Sequence, residues 1–149
     1  MNNMYPEYQM MSENQMGVFP KGYEGVMSSG YPAAGHYMNE SLVKVIQDCE
    51  ATCEHMTTHL KKLQDCRMRI RQAMLLQDCA DICGLTAKFV ARGSMFVKQI
   101  AELCACICEV CGVECARFSD QRSQNCARVC MHCARECRAF AGMAERPIF

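Results

Sequence analysis

Two runs of cysteine in the C-terminal half of this 149-residue chain have the spacing of a metal-binding surface. The run CACICEVCGVEC spans 104–115 and the run CARVCMHCAREC spans 126–137, and each contains the pattern C-x3-C-x2-C-x3-C. This spacing places the thiols of each run in one stripe along a single face of an α-helix. Thiolates are soft ligands, so such a stripe favours soft metal ions such as Cu(I).

Two C-x3-C pairs precede the stripes, Cys49/Cys53 and Cys79/Cys83. In an intact helix, residues spaced this way have Cβ atoms roughly 5–6 Å apart, whereas a disulfide needs them at roughly 3.5–4.5 Å. A linear sulfur–metal–sulfur unit spans roughly 4.5 Å when each bond is near ~2.3 Å, a span that side-chain rotamers can match. The pairs therefore fit a bridging metal better than a disulfide.

A single buried cysteine has a simpler explanation, because free cysteine packs as a small hydrophobe. A core built from all of these cysteines would be loosely packed without another occupant. Zn²⁺ bound by four thiolates retains a charge of about −2, whereas one Cu(I) per bridging thiolate gives a neutral core and predicts about a dozen Cu(I) ions per chain. Zinc and iron–sulfur clusters are the alternatives, and the mid-helix spacing disfavours iron–sulfur clusters.

The composition of the chain limits which kinds of binding partner and which cellular compartment we expect. Lys plus Arg and Asp plus Glu both number 16, so net charge gives no indication of a nucleic-acid or membrane partner. The N-terminus lacks the pattern of a signal peptide, and no apolar run approaches the ~20 residues of a membrane span. We expect a cytoplasmic protein, in which dense cysteine indicates metal more often than crosslinks. A structural or coat-associated protein with crosslinked cysteines is the alternative to storage.

The elements that must position these thiols are helices. Residues 1–38 hold all five tyrosines and three of the four prolines, without helical or strand periodicity, and are predicted to be a disordered tail. Residues 39–144 are rich in helix-forming residues, and 145–149 form a short C-terminal tail. Helices are predicted at about 40–64, 68–91, 95–118 and 121–143. Short connections make them antiparallel neighbours, so the predicted fold is an all-α, up-down-up-down four-helix bundle.

The positions of the turns predict which cysteines lie at the same level of such a bundle. Cys106 falls off the stripe and should face outward or toward another subunit. The predicted layers are Cys49, Cys83, Cys104 and Cys137; then Cys53, Cys79, Cys108 and Cys133; then Met56, Leu76, Cys111 and Cys130; and last Leu60, Gln72, Cys115 and Cys126.

The runs LQDCADICGLTAKFVARGS (76–94), LCACICEVCGVECARF (103–118) and NCARVCMHCARECRAF (125–140) resemble the bacterial four-helix-bundle copper storage proteins over about residues 41–143. The resemblance implies that the cysteines inside the bundle bind many Cu(I) ions, that subunits form a homotetramer, and that the protein is not an enzyme. A loop-borne C-x-x-C at a helix N-terminus, typical of thiol–disulfide enzymes, is also missing from the pattern. The segment EHMTTHLKKL after Cys53 carries fewer cysteines than the resemblance would suggest, so the first helix should hold fewer ions.

The same resemblance implies that Met or His lies at an open mouth of the bundle through which copper passes. Candidates are Met56, His59, Met68 and Met74, near the end that carries Cys66. The alternative is that a Met at helical spacing fills a gap in the core and that His59 is a solvated surface residue, and for His59 this alternative is favoured. Thioether and imidazole are weaker Cu(I) ligands than thiolate and suit the transfer of ions inward. The predicted metal ligands are therefore the twelve cysteines of the layers together with Cys66 and Met56.

Overall fold

The structure, a computed structural model, describes residues 39–143. Its elements are four α-helices and one short 3₁₀ helix, and this part of the chain contains no strand. The all-α prediction is therefore confirmed. The helices are α1 (Glu40–Leu60), α2 (Ile70–Ala91), α3 (Val97–Ala116) and α4 (Gln121–Met143), and the 3₁₀ helix is Cys66–Arg69.

The helix ends differ from the predicted ones by up to four residues. The first helix was predicted to reach residue 64 and ends at Leu60, where the N–H of Leu63 bonds the carbonyl of Leu60 at 3.1 Å. The predicted third helix similarly shortens to Ala116, because the N–H of Phe118 bonds the carbonyl of Cys115 at 3.2 Å. Such three-residue bonds tighten the last turn of a helix and stop its propagation.

The turn between α2 and α3 reverses the chain at a glycine. Gly93 has a φ of 63°, in the left-handed region where a side chain is strained. The N–H of Ser94 reaches back to the carbonyl of Phe89 at 3.0 Å, which satisfies a carbonyl of the last turn of α2. Residues 92–94 are the gap between the helices predicted at 68–91 and 95–118, and the turn allows α3 to run antiparallel to α2.

Each helix packs against two neighbours, in the order α1, α2, α3, α4 and back to α1. Small side chains fill the middle of the bundle, where the twelve cysteines of the predicted layers are all 0% exposed. Larger apolar residues such as Ile46 and Val90 lie beyond them toward one end, and Leu60 lies toward the other. Within residues 39–143, none of the helices has the length and apolar character needed to cross a membrane.

Candidate metal centre

The buried sulfurs come together in groups whose members lie within 4.8 Å of one another. Cys49 belongs to two of the groups, and Cys133 also belongs to two. The groups are therefore joined into one array and are not separate sites. They are Cys49, Cys83, Cys108 and Cys133; Cys49, Cys53, Cys79 and Cys130; and Cys104, Cys133 and Cys137.

The distances between neighbouring sulfurs suit a bridging metal. The Sγ atom of Cys130 lies 3.6 Å from that of Cys53, and the Sγ of Cys108 lies 3.6 Å from those of Cys79 and Cys83. All fourteen cysteines are free, and these separations far exceed a disulfide bond of ~2.05 Å. A linear sulfur–metal–sulfur unit needs roughly 4.5 Å, which small rotations of the thiols would supply.

The predicted cysteine layers are correct for the pair α2 and α3 and wrong for the pair α1 and α4. Cys83 and Cys104 of α2 and α3 lie at 3.8 Å, as the predicted layers require. Cys130, which was placed one layer from Cys53 and two from Cys49, lies within 3.6 and 3.9 Å of their sulfurs. No turn joins α1 directly to α4, and the 3₁₀ helix lengthens the connection from α1 to α2. The turn positions therefore do not determine the register of α1.

A buried polar network closes one end of the array. The Gln72 amide, 0% exposed, donates to the Sγ of Cys115 at 3.6 Å and to the hydroxyl of Ser123 at 3.0 Å. The Arg69 guanidinium donates to Ser123 at 3.2 Å and to the Asp120 carboxylate at 2.8 Å. Gln72 was predicted to lie in the core, but its hydrogen-bond network was not predicted. The signal available was the polar amide in line with Leu76 on the core face of α2.

Hydrogen bonding among the thiols separates their pKa values. Hydrogen bonding with the sulfurs of Cys111 and Cys126, together with burial, raises the pKa of Cys130 above its ordinary value of 9.0. Hydrogen bonds from Cys115 and Cys130 lower the pKa of Cys111 to about 6. A proton on one sulfur therefore stabilises negative charge on the next. A metal ion that enters this array must displace the protons held by sulfurs such as Cys130.

Asp120 is held ionised beside the array. Burial alone would raise its pKa, but hydrogen bonds from the backbone N–H of Ser123 and from the Arg69 guanidinium hold that pKa below its ordinary value of 3.8. The Asp120 side chain thus accepts the Ser123 N–H at the start of α4 and pairs with Arg69 of the 3₁₀ helix.

Comparison with known proteins matches this arrangement to an established family. Residues 36–142 match the sequence model described as copper storage protein. The chain belongs to the copper storage protein family. A curated relative, the uncharacterized cysteine-rich protein YhjQ of Bacillus subtilis (strain 168), is 37% identical over 88 residues, which cover 58% of this chain and 80% of that protein.

Two solved structures of copper storage proteins are also similar to this chain. The Cu(I)-bound copper storage protein BsCsp3 is 36% identical, with a TM-score of 0.67 over 69% of this chain and 97% of that chain. The copper storage protein Ccsp from Streptomyces lividans, loaded with 10 copper equivalents, is 19% identical with a TM-score of 0.70, over 79% of this chain and 96% of that chain. At that identity, the second similarity supports the fold alone.

Four of the predicted cysteine ligands do not belong to the sulfur groups. The sulfurs of Cys111 and Cys126 each lie 4.0 Å from the Sγ of Cys130, and the other two are Cys115 and Cys66. Met56 is buried, at 3% exposure, between α1 and α4. Cys66 is exposed at the start of the 3₁₀ helix, and the structure does not bring it to the array. Met68 and Met74 are exposed at 82% and 62%. The predicted tail at 1–38 and the last residues, 144–149, lie outside the described part of the chain.

Proposed function

We propose that this protein stores many Cu(I) ions on the thiolates inside its bundle. The observation that carries the proposal is the linked array of buried sulfurs, in which Cys49 and Cys133 each belong to two groups. A sulfur shared between groups can bridge two metal ions, so the array favours a continuous cluster over isolated sites. The proposed ligands are the twelve buried cysteines of the core, with Met56 as a further ligand at its edge. Nine of the twelve form the array, and the other three, Cys111, Cys115 and Cys126, are also fully buried.

Charge balance supports Cu(I) over Zn²⁺ as the stored ion. The two four-sulfur groups share Cys49, so they do not supply two independent sets of four thiolates for Zn²⁺. One Cu(I) for each bridging thiolate leaves an uncharged core, whereas zinc would leave buried negative charge without a partner. Storage requires no bond-making chemistry on the cargo, so we propose a non-enzymatic role.

A titration of the reduced protein with Cu(I), without oxygen and in competition with a chromophoric Cu(I) chelator, tests the proposal. We expect saturation at about a dozen ions per chain, from one Cu(I) per core thiolate. A parallel titration with Zn²⁺ should saturate at far fewer ions. Saturation with one or two Cu(I) ions, or a preference for zinc, would overturn the storage role.

We infer a reducing, cytoplasmic compartment for this function. Every one of the fourteen cysteines is free, and Cu(I) storage needs thiols that remain reduced. Thiol titration of freshly isolated, metal-stripped protein, without added reductant, should count nearly all of them. A count of only a few free thiols would favour a structural protein with crosslinked cysteines.

An apolar stripe on α3 supports assembly with further copies of the chain. Leu103, Val110 and Val113 are 51%, 43% and 58% exposed, and the exposed Cys106 lies between the first two. Their spacing of three and four residues is that of a helix packing seam. We infer that this stripe packs against another subunit, in the homotetramer that the family resemblance implied. Light scattering should give a mass that falls in the Val110→Lys variant, and a monomeric wild-type protein would contradict the inference.

A further inference from the structure

Gln72 is a buried polar residue whose amide faces a sulfur. It lies on the core face of α2, one turn before Leu76, and is 0% exposed. Its Nε2 atom donates to the Sγ of Cys115 at 3.6 Å and to the hydroxyl of Ser123 at 3.0 Å. A buried amide costs free energy unless it is hydrogen-bonded, and a leucine would fill the same position without that cost. Packing alone therefore does not explain a glutamine at this position.

The Arg69 guanidinium determines which way the Gln72 amide points. The Nη1 atom of Arg69 lies 3.3 Å from Oε1 of Gln72. A guanidinium can only donate, so the amide oxygen must face Arg69, and the NH2 group must face Cys115 and Ser123. Both hydrogens of the NH2 group then have an acceptor. The opposite orientation would set two donor groups against each other and would take the donor away from the sulfur.

Arg69 is itself fixed by three other residues at this end of the bundle. Its Nε atom pairs with Asp65 at 2.8 Å, and its Nη1 atom pairs with Asp120 at 2.8 Å. Its guanidinium lies 4.3 Å from the centre of the Phe118 ring, which is a cation–π distance. The Arg69 side chain is only 9% exposed, so little water competes for these contacts. The Gln72 amide is therefore preorganised, because the group that orients it is held on several sides.

The charges of this network make the neutral amide the group that acts on the sulfur. The Arg69 guanidinium pairs with two carboxylates, those of Asp65 and Asp120, so it brings no surplus positive charge to Cys115. A surplus cation against the sulfur would repel a Cu(I) ion. A neutral N–H donor stabilises the charge of a thiolate without that repulsion. A thiolate that bridges two copper ions keeps a lone pair with which to accept this hydrogen bond.

Cys115 lies at the outer end of the cysteine core. It follows Cys111 by one turn on the core face of α3, and the Sγ of Cys111 is 4.0 Å from that of Cys130. On the far side of Cys115, the bundle is closed by Gln72 and Ser123, which are both 0% exposed. A sulfur with other sulfurs on one side only shares fewer metal ions than one in the middle of the array. Copper therefore neutralises its charge less completely, and a hydrogen-bond donor has more effect there.

We propose that Gln72 is a positioning residue for copper binding, whose amide orients the Cys115 thiolate and offsets part of its negative charge. This inference rests on the storage function proposed above. When Cu(I) binds the Cys115 sulfur, the thiol proton leaves to solvent, and copper is neither oxidised nor reduced. Groups that hydrogen-bond a metal ligand typically contribute about 10–100-fold to metal affinity. In this protein the contribution falls on the ions that Cys115 binds and not on those in the middle of the array.

The test is the variant Gln72→Leu, in which a side chain of similar size removes the donor and adds no metal ligand. Reduced protein is saturated with Cu(I) without oxygen, and ions are then withdrawn with increasing amounts of a chromophoric Cu(I) chelator. We expect one or two ions, those that a single bridging sulfur contacts, to be bound about 10–100-fold more weakly than in wild type. The remaining ions should be held as in wild type.

The matched control is Thr86→Val at the other end of the cysteine core. Thr86 is also a polar residue of the core face of α2 and is 0% exposed, but its hydroxyl has no hydrogen-bond partner within residues 39–143. The control should hold every ion as tightly as wild type. A second variant, Ser123→Ala, keeps Gln72 and removes one of the two acceptors of its NH2 group. It should weaken the same ions as Gln72→Leu by a smaller factor.

A site-resolved measurement distinguishes positioning from a general loss of structure. Loaded protein is treated with a thiol-alkylating reagent at a chelator concentration that wild type withstands, and the modified cysteines are located by peptide mass spectrometry. Cys115 is in the last turn of α3, where local opening admits the reagent. In Gln72→Leu the modification should appear first at Cys115, while Cys49 and Cys108 stay protected. A residue needed only for packing would expose cysteines throughout the bundle.

The outcomes separate this inference from the storage function. If Gln72→Leu holds all its ions as tightly as wild type, or if the modified sulfurs lie elsewhere, Gln72 does not position Cys115 and storage stands. Equal weakening in Thr86→Val would also overturn the inference, because any change in a buried polar residue would then have the same effect. If wild-type protein binds only one or two ions, the storage function itself fails.

Discussion

At the scale of single residues, the position of a cysteine in the array decides how many ions depend on it. Cys49 belongs to two four-sulfur groups, and its Sγ lies 3.9 Å from those of Cys79 and Cys130. Cys106 is exposed on the outer face of α3 and belongs to none of these groups. Both residues are cysteines, so a difference in copper capacity between their serine variants would come from their positions in the bundle.

Replacing Cys49 by serine should remove more than one Cu(I) ion per chain. A bridging sulfur serves more than one metal, and serine keeps the side-chain size while it removes the soft ligand. Metal analysis of the saturated variant after gel filtration measures the loss. The Cys106→Ser control should retain wild-type capacity within error. Loss of a single ion or none from Cys49→Ser would argue against bridging, and a large loss from the control would contradict the stripe assignment.

At the scale of the elements, the helices follow from local sequence and the register of the bundle does not. Cysteine periodicity and the break at Gly93 predict α2, α3 and α4 to within two residues at each end. The contact of Cys130 with Cys49 depends on how α1 is set against α4, which lie at opposite ends of the chain order. The contacts of Arg122 of α4 with His55 and His59 of α1 have the same origin, because only packing brings these residues together.

The ion pair at the start of α4 predicts a pH-dependent contribution to stability. Asp120→Asn should lower the free energy of unfolding at neutral pH by about 1–2 kcal/mol, because it breaks a partly buried pair while asparagine still caps the helix. The folded-state pKa of Asp120 lies below 3.8, so its contribution is present above that value and is lost as pH falls through the folded pKa. Urea unfolding at several pH values should show the difference from wild type shrinking in acid.

The matched control for this ion pair is Asp48→Asn in α1. Asp48 pairs with Lys44 at 3.0 Å, but the two side chains are 62% and 75% exposed. Exposed pairs of this kind contribute roughly 0–1 kcal/mol. A loss as large in the control as in Asp120→Asn, or a loss for Asp120→Asn that stays constant in acid, would show that the Arg69 network does not stabilise this end of the bundle.

At the scale of the whole molecule, the core lacks the large side chains that usually stabilise a bundle. Ile46, Leu76 and Val90 are the only apolar residues larger than cysteine among the fully buried side chains of residues 39–143. Thiols fill less volume and bury less apolar surface than leucine or isoleucine would. Metal that fills the array should therefore change the stability of the entire domain.

Loading with Cu(I) should raise the melting temperature in steps that follow the ratio of metal to protein. Ligand bound only to the folded state stabilises it by about 2.7 kcal/mol at a hundredfold excess over the dissociation constant. Circular dichroism during thermal unfolding, without oxygen, measures the gain. The gain should shrink as the pH is lowered from neutral, because protons on high-pKa thiols such as Cys130 compete with the metal. A melting temperature independent of loading, or a gain that grows in acid, would contradict binding to the buried thiolates.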